Sequence, residues 1–158
     1  MRLRLLGLVA TMTVLAGCHT APSASTDNGG NSTGGAPSAS LTPQQELTQQ
    51  VGDRVFFGFD KSDISSDAQA ILGRQADFTK KYASLTFTIE GHADERGTRE
   101  YNLALGERRA TAAKNALVAL GVDAGRLKTI SYGKERPAVD GHNEAAWAQN
   151  RRAVTVIN

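Results

Sequence analysis

The chain has 158 residues, of which 18 are Lys or Arg, 16 are Asp or Glu and 40% are apolar. That is one ordinary soluble domain with flanking segments rather than two domains, and its single cysteine excludes an internal disulfide. The formal charge of +2 hints at nucleic acid, but Arg2 and Arg4 lie in a segment read below as removed; without them 16 basic residues face 16 acidic ones and most of the hint is withdrawn.

Arg2 and Arg4 precede an apolar run from Leu5 to Leu15. The run is shorter than the roughly 20 residues that span a bilayer. A basic start, a short apolar core and small residues after it describe an export signal. The small residues end at Leu15-Ala16-Gly17-Cys18. This resembles the bacterial lipoprotein signal, which implies removal of residues 1–17, acylation of Cys18 and a lipid anchor. Multiple acyl chains hold a protein firmly where one holds it marginally. His19, rather than Asp, follows the cysteine, and the resemblance then favours the outer membrane.

From His19 to Thr42, 21 of 24 residues are Gly, Ser, Thr, Asn, Ala or Pro. Such a stretch buries too little surface to offset its ordering entropy, so residues 18–42 are expected to form a flexible tether. Its root-mean-square span is about 25–30 Å and its full reach about 80 Å.

A folded domain is expected over residues 43–158. Pro43 to Gln50 suits a short helix, and the apolar run Val55 to Phe59, ended by Asp60, suits a strand. Ser65 is positioned to cap a helix running to about Lys81, with Ala68, Ile71, Phe78 and Tyr82 at helical spacing. Leu85, Phe87 and Ile89 alternate with polar residues as in a half-buried strand. A polar loop from Gly91 to Gly97 follows, and Thr98 caps a helix that runs to about Leu120 and stops at Gly121. Leu127 to Tyr132 forms a third strand, and a long loop with a short helix near Glu144 to Gln149 leads to a last strand, Arg152 to Ile157. The fold class is α+β: a two-layer sandwich, with a mixed sheet of about four strands and two long helices on one face. Trp147 in the long loop reads as either a core anchor or a contact residue.

Plotted at 100° per residue, the second long helix places Tyr101, Leu105, Ala112, Ala113, Ala116 and Leu120 in one stripe. Arg109 falls inside it, about 40° from Leu105, with Asn102 near its edge. A guanidinium in an apolar stripe keeps its charge, so it must be paired or open into a cleft. Asp94 in the preceding loop and Asp60 at the end of the first strand are the candidate partners. On geometry alone, a structural ion pair and a ligand site are equally open.

Gly91-His92-Ala93-Asp94-Glu95-Arg96-Gly97-Thr98, Tyr101-Asn102 and Leu105-Gly106-Glu107-Arg108-Arg109-Ala110 closely resemble the OmpA-like peptidoglycan-binding domain. The match continues through Ser131 to Glu135, Pro137-Ala138 and Asn150 to Ala153, covering nearly all of Val55 to Ile157. The resemblance implies non-enzymatic binding of peptidoglycan at meso-diaminopimelate of the peptide stem, with no cofactor and no metal. Carried over position by position, it implies Asp60, Asp94, Arg109 and Phe59 as ligand residues, and Asn102 and Leu105 as their supports. It further implies a place in the Tol system, with the periplasmic protein TolB as a partner over part of the same cleft. Gly106 stands where many relatives carry Ser, a change expected to loosen the helix start slightly.

The implied chemistry is coherent. The far end of diaminopimelate carries an ammonium and a carboxylate on one carbon, so a site needs both signs in one small pocket. An arginine fork suits the carboxylate and aspartates suit the ammonium, while N–H groups near Phe59 and Asp60 add donors. Two rivals fare worse. A hydrolase using His92, Asp94, Glu95 and His142 matches no defensible ligand spacing, and His92 reads better as a strand-end residue hydrogen-bonding locally. A nucleic-acid module using Arg108, Arg109, Arg151 and Arg152 conflicts with export and with a neutral mature chain; Arg151 and Arg152 read as surface or ion-pair residues flanking the last strand.

Overall fold

The computed structural model describes residues 41–158; the expectations placed on residues 1–40, including the signal, Cys18 and nearly all of the tether, lie outside them. Thr42 opens the domain with a capping box to Gln45, and Pro43 occupies the first turn of α1 (Pro43–Glu46). The helix continues as a wider π turn over Leu47–Val51 and stops at Gly52, whose φ is +93°. Leu47 is fully buried, and Glu46 accepts from Lys81 and Tyr82. This helix is thereby fastened to the far end of the next one.

Four strands make one mixed sheet, β1 (Arg54–Phe56), β2 (Phe87–His92), β3 (Leu127–Gly133) and β4 (Arg152–Ile157), in the order β1-β4-β2-β3. β4 runs antiparallel to both neighbours, while β2 and β3 are parallel. Parallel neighbours need a crossover, supplied here by the 21-residue α3 (Arg99–Ala119). α2 (Ser66–Lys81) joins β1 to β2, and the short α4 (Glu144–Asn150) leads into β4. The predicted caps form: Ser65 accepts from the Ala68 N–H and Thr98 from the Tyr101 N–H. The architecture is α+β, with α2 and α3 packed on the core that Val55, Phe87, Ile89, Leu127 and Ala153 present from the sheet.

Three details differ from expectation. β2 starts at Phe87 rather than Leu85 and takes in Gly91 and His92, expected in the polar loop. β1 ends at Phe56 rather than Phe59, because the Gly58–Lys61 turn takes over, closed by Lys61 N–H donating to the Gly58 carbonyl. The buried stripe of α3 comprises Asn102, Leu105, Gly106, Arg109, Ala110, Ala113 and Leu117, while Tyr101 and Leu120 are exposed. The helix is thus rotated so that Asn102, expected at the edge of the stripe, joins Arg109 near its centre.

Gly106 is the reason. A Cβ added to Gly91 of β2 would lie 1.8 Å from the Gly106 carbonyl oxygen, and one added to Gly106 would lie 2.3 Å from Ser131 Oγ. Here α3 rests directly on the backbone of β2. Gly106 therefore does more than weaken a helix turn: it permits the close approach. Gly91→Ala is expected to cost about 3 kcal/mol or more, since the obstruction is main chain and cannot rotate away. Gly73 in α2 has open space at its Cβ position, so Gly73→Ala is expected to add about 0.5–1 kcal/mol. Urea unfolding of the two variants checks the contrast, and similar midpoints would contradict it.

Candidate functional site

Arg109 enters from the middle of α3 with 0% of its surface exposed. Its Nε donates to the Lys61 carbonyl at 2.8 Å, Nη1 to that of His92 at 2.8 Å and Nη2 to that of Gly58 at 3.1 Å. The expected direct partnership with Asp60 or Asp94 is therefore corrected: main-chain oxygens at loop ends satisfy the cation. These loops end near the helix, and the Gly58 carbonyl accepts from Arg109 as well as from the Lys61 N–H. Burial pulls the Arg109 pKa down to about 10 while the charge of Asp94 opposes that, so the group is a cation at neutral pH. The Phe57 ring lies 5.3 Å from its guanidinium carbon. Three of its five N–H groups are committed, and Nη1 and Nη2 keep one each.

By gripping both ends of the Gly58–Lys61 turn and the end of β2, Arg109 fixes two acidic loops side by side. Between them is a cleft of about 200 Å³. Phe59 and Asp60 border it from the turn, Asp94, Arg96 and Gly97 from the loop after β2, and Tyr101, Asn102 and Leu105 from α3. Five of the residues expected from the sequence, Phe59, Asp60, Asp94, Asn102 and Leu105, are thus brought together around one cavity. Arg109 stands behind them.

The two aspartates differ. Asp94 is buried and crowded: Oδ1 accepts from the backbone N–H and Nε of Arg96, and Oδ2 from Arg96 Nη2 at 2.7 Å and Arg151 Nη1 at 3.4 Å. Burial alone would raise its pKa, but the hydrogen bonds from Arg96 and Arg151 outweigh that and hold it below the usual range. Asp60 is exposed, with Tyr101 donating its hydroxyl to Oδ1, and Oδ2 has no partner among the described residues. Asp60 sits at φ +56°, the only non-glycine in that region among the described residues. Such backbone strain persists where surroundings over-determine it, and here Arg109 and Tyr101 do so. The N–H groups of Phe59 and Asp60 donate to no acceptor among the described residues.

Sequence reasoning gave Arg96 no role, placed Tyr101 in the apolar stripe and left Trp147 open between core anchor and contact residue. Arg96 lies between two rings, 4.1 Å from the Phe59 centroid and 4.0 Å from that of Trp147. Asn102 Nδ2 donates to the Arg96 carbonyl at 2.8 Å and the Thr98 carbonyl at 3.0 Å, pinning the loop to the helix. The Asp94-x-Arg96 spacing was the available signal for the first pair; nothing local announced the stacking on Trp147.

Other expectations are corrected. His92 is buried, and neither ring nitrogen has a hydrogen-bond partner. The local hydrogen bond expected of it at the end of the strand is therefore not formed; burial and the charge of Arg152 hold its pKa at about 4, and its ring lies 5.6 Å from that of Tyr132. Arg151 and Arg152, expected as surface or ion-pair residues, are both buried, and of the two Arg151 is the ion-pair residue. Arg151 bridges Asp94 and Glu144, the latter at 2.6 Å, and donates from Nε to the Phe57 carbonyl. His142 pairs with Glu95 at 2.7 Å.

Comparison with known proteins adds lineage. The model of the OmpA family matches residues 56–151. A peptidoglycan-associated lipoprotein of Agrobacterium fabrum is 52% identical over 143 residues, 90% of this chain and 81% of that protein. The protein of the same name from Rhizobium meliloti is 51% identical over 97% of this chain and 86% of its own length. Among solved structures, the peptidoglycan-associated lipoprotein from Burkholderia pseudomallei superposes with a TM-score of 0.69 at 41% identity, covering 74% of this chain and all of that one. The C-terminal domain of Helicobacter pylori MotB shares the fold, with a TM-score of 0.63 at 20% identity over 67% of this chain and 84% of that one.

Arg109→Lys is expected to cost about 3 kcal/mol or more, because one ammonium cannot serve three carbonyls set around a planar fork; chemical denaturation measures it. Asp94 supplies a pH signature. Its pKa is lowered on folding, so its contribution is complete above the ordinary value of about 3.9 and disappears as pH falls through the depressed one. Calorimetry from about pH 5 to pH 2 should show the melting temperature falling, with a smaller fall in Asp94→Asn.

Proposed function

The chain belongs to the OmpA family, and from that premise and the geometry of the cleft we propose that it binds peptidoglycan non-covalently through meso-diaminopimelate of the peptide stem. It acts as an outer-membrane lipoprotein, anchored through Cys18, that tethers the membrane to the wall as part of the Tol–Pal system and serves envelope integrity and cell division. It is a binding protein, not an enzyme. Its relatives named peptidoglycan-associated lipoprotein support this reading.

The observation that carries it is a cleft of amino-acid size in which an uncommitted carboxylate oxygen on Asp60 faces uncommitted donors. The ligand ammonium goes to Asp60, with Asp94 behind it. The carboxylate goes to the N–H groups of Phe59 and Asp60 and to Arg96 Nη1, whose nearest acid is Glu144 Oε2 at 3.9 Å, while Arg109, buried behind the cleft wall, acts on it through its positive charge. The exposed Phe59 ring covers the aliphatic stem. A lysine stem brings the ammonium without the carboxylate and leaves these donors unmatched, which costs roughly tenfold or more in affinity. TolB is the second partner, over the same cleft and along Glu95 to Glu107, so wall and protein compete.

Titration of the full chain with stem peptides tests the selectivity: the diaminopimelate version is expected to bind roughly tenfold or more tightly than the lysine version, and equal affinities would refute the assignment. Asp60→Asn, at an exposed position whose backbone conformation Asn tolerates, is expected to keep the melting temperature and to lose most retention on purified sacculi. Unchanged retention would remove Asp60 from the site.

A further inference from the structure

We propose that Trp147, held by Glu95, is a positioning residue for the cleft, and that it sets the preference for a stem bearing a free carboxylate by holding the Arg96 guanidinium in place. This rests on the reading of the cleft given above. It assigns a task to the segment between β3 and β4, which contributes none of the cleft wall.

Arg96 is a long side chain on a loop, and about a third of it is exposed. Asp94 fixes one edge through Nε and Nη2. At the other edge Nη1 meets only Glu144 Oε2 at 3.9 Å, too long for a hydrogen bond, so the planar group can hinge about the Asp94 edge unless its faces are held. Both faces are held: Phe59 lies on one side and Trp147 on the other, each about 4 Å from ring centroid to guanidinium carbon. Phe59 belongs to the turn that Arg109 fixes. Trp147 belongs to α4, 51 residues along the chain from Arg96, and its ring is oriented by a separate bond, Nε1 donating to Glu95 Oε1 at 2.8 Å. His142 closes on the same carboxylate from the preceding loop at 2.7 Å. Glu95 is adjacent to Arg96, so the loop that carries the guanidinium also carries the acceptor that aims the ring.

The two contacts are mutually reinforcing. A tryptophan face attracts a guanidinium through the ring quadrupole, most strongly where water is excluded, and a pre-aimed donor loses less freedom when a ligand arrives. A carboxylate approaching Nη1 meets a group whose plane is already set. A stem whose side-chain ammonium has no carboxylate on the same carbon does not use that group, so the clamp matters to one class of stem and not the other.

Trp147 is the sole tryptophan of the chain, so intrinsic emission reports on this clamp alone. In the full chain, Trp147→Ala is expected to weaken diaminopimelate stem peptide roughly tenfold and lysine stem peptide much less, with the melting temperature close to that of the parent. Trp147→Phe, which keeps a ring but drops the bond to Glu95, should fall between the two, and Glu95→Gln should follow it. Diaminopimelate peptide should shift the emission of the parent protein. The proposal is overturned if Trp147→Ala weakens both peptides equally, if it binds as the parent does, or if calorimetry records binding while emission is unmoved. Should Trp147→Ala fail to fold, Trp147→Phe and Glu95→Gln decide by the same ratio of affinities. A parent protein that binds neither peptide overturns the reading of the cleft itself, whereas a selective parent with an indifferent Trp147→Ala overturns only the role of the clamp.

Discussion

A single buried guanidinium organises this domain. Arg109 donates to carbonyls of Gly58, Lys61 and His92, which lie in two loops more than 30 residues apart in sequence. Removing an arginine from water is costly unless its donors are matched. Matching them with main-chain oxygens rather than a carboxylate has a structural consequence: the bonds dictate where the backbone goes, not merely where a side chain points. The Gly58–Lys61 turn and the end of β2 are held in a common frame by one planar group. A lysine, with a single ammonium on a flexible stem, lacks the shape to do this.

The approach of α3 to the sheet sets the depth of that group. Gly91 and Gly106 let the helix backbone lie against β2, which carries Arg109 down to the level of the strand end. With side chains at either glycine the helix would ride higher and the fork would no longer reach all three oxygens. The same approach places Asn102 where it can bind the Arg96 and Thr98 carbonyls. The floor and one wall of the cleft therefore descend from packing, and the charges arrayed on them inherit its precision. Asp94 is neutralised within the protein by Arg96 and Arg151, leaving Asp60 as the carboxylate with capacity to spare. The cleft thus combines one carboxylate that keeps a free oxygen with a buried positive charge behind it.

Much of this was legible in the residues. Helix caps at Ser65 and Thr98, the alternation of β2 and the final strand follow from local chemistry, and the structure places them as expected. Arg109 stood out because periodicity reports burial, and a permanent cation in a buried stripe demands an explanation. Periodicity does not report who supplies the acceptors, so the carbonyls were missed in favour of the nearest acids. The close glycine pair was hidden for the same reason: Gly106 looked like a weak helix former because its neighbour, Gly91, is 15 residues away in sequence and adjacent only in the fold. Arg126 is a further case. It donates to carbonyls of Thr79, Tyr82 and Leu85 and so closes the end of α2 from a distant turn, a role with no local signature.

The two sides of the cleft differ in how firmly they are held. On the α3 side the restraints are buried: Arg109, Asn102 and Leu105 have almost no exposed surface, and opening them exposes core. On the far side the restraints are Glu95, His142 and the upper face of Trp147, where Glu95 and His142 are well exposed and water competes for every bond. Exposed ion pairs contribute little to stability, so the far side is free to vary without endangering the fold. Selection for what the cleft prefers can therefore act on that side, while the buried arginine keeps the binding frame constant.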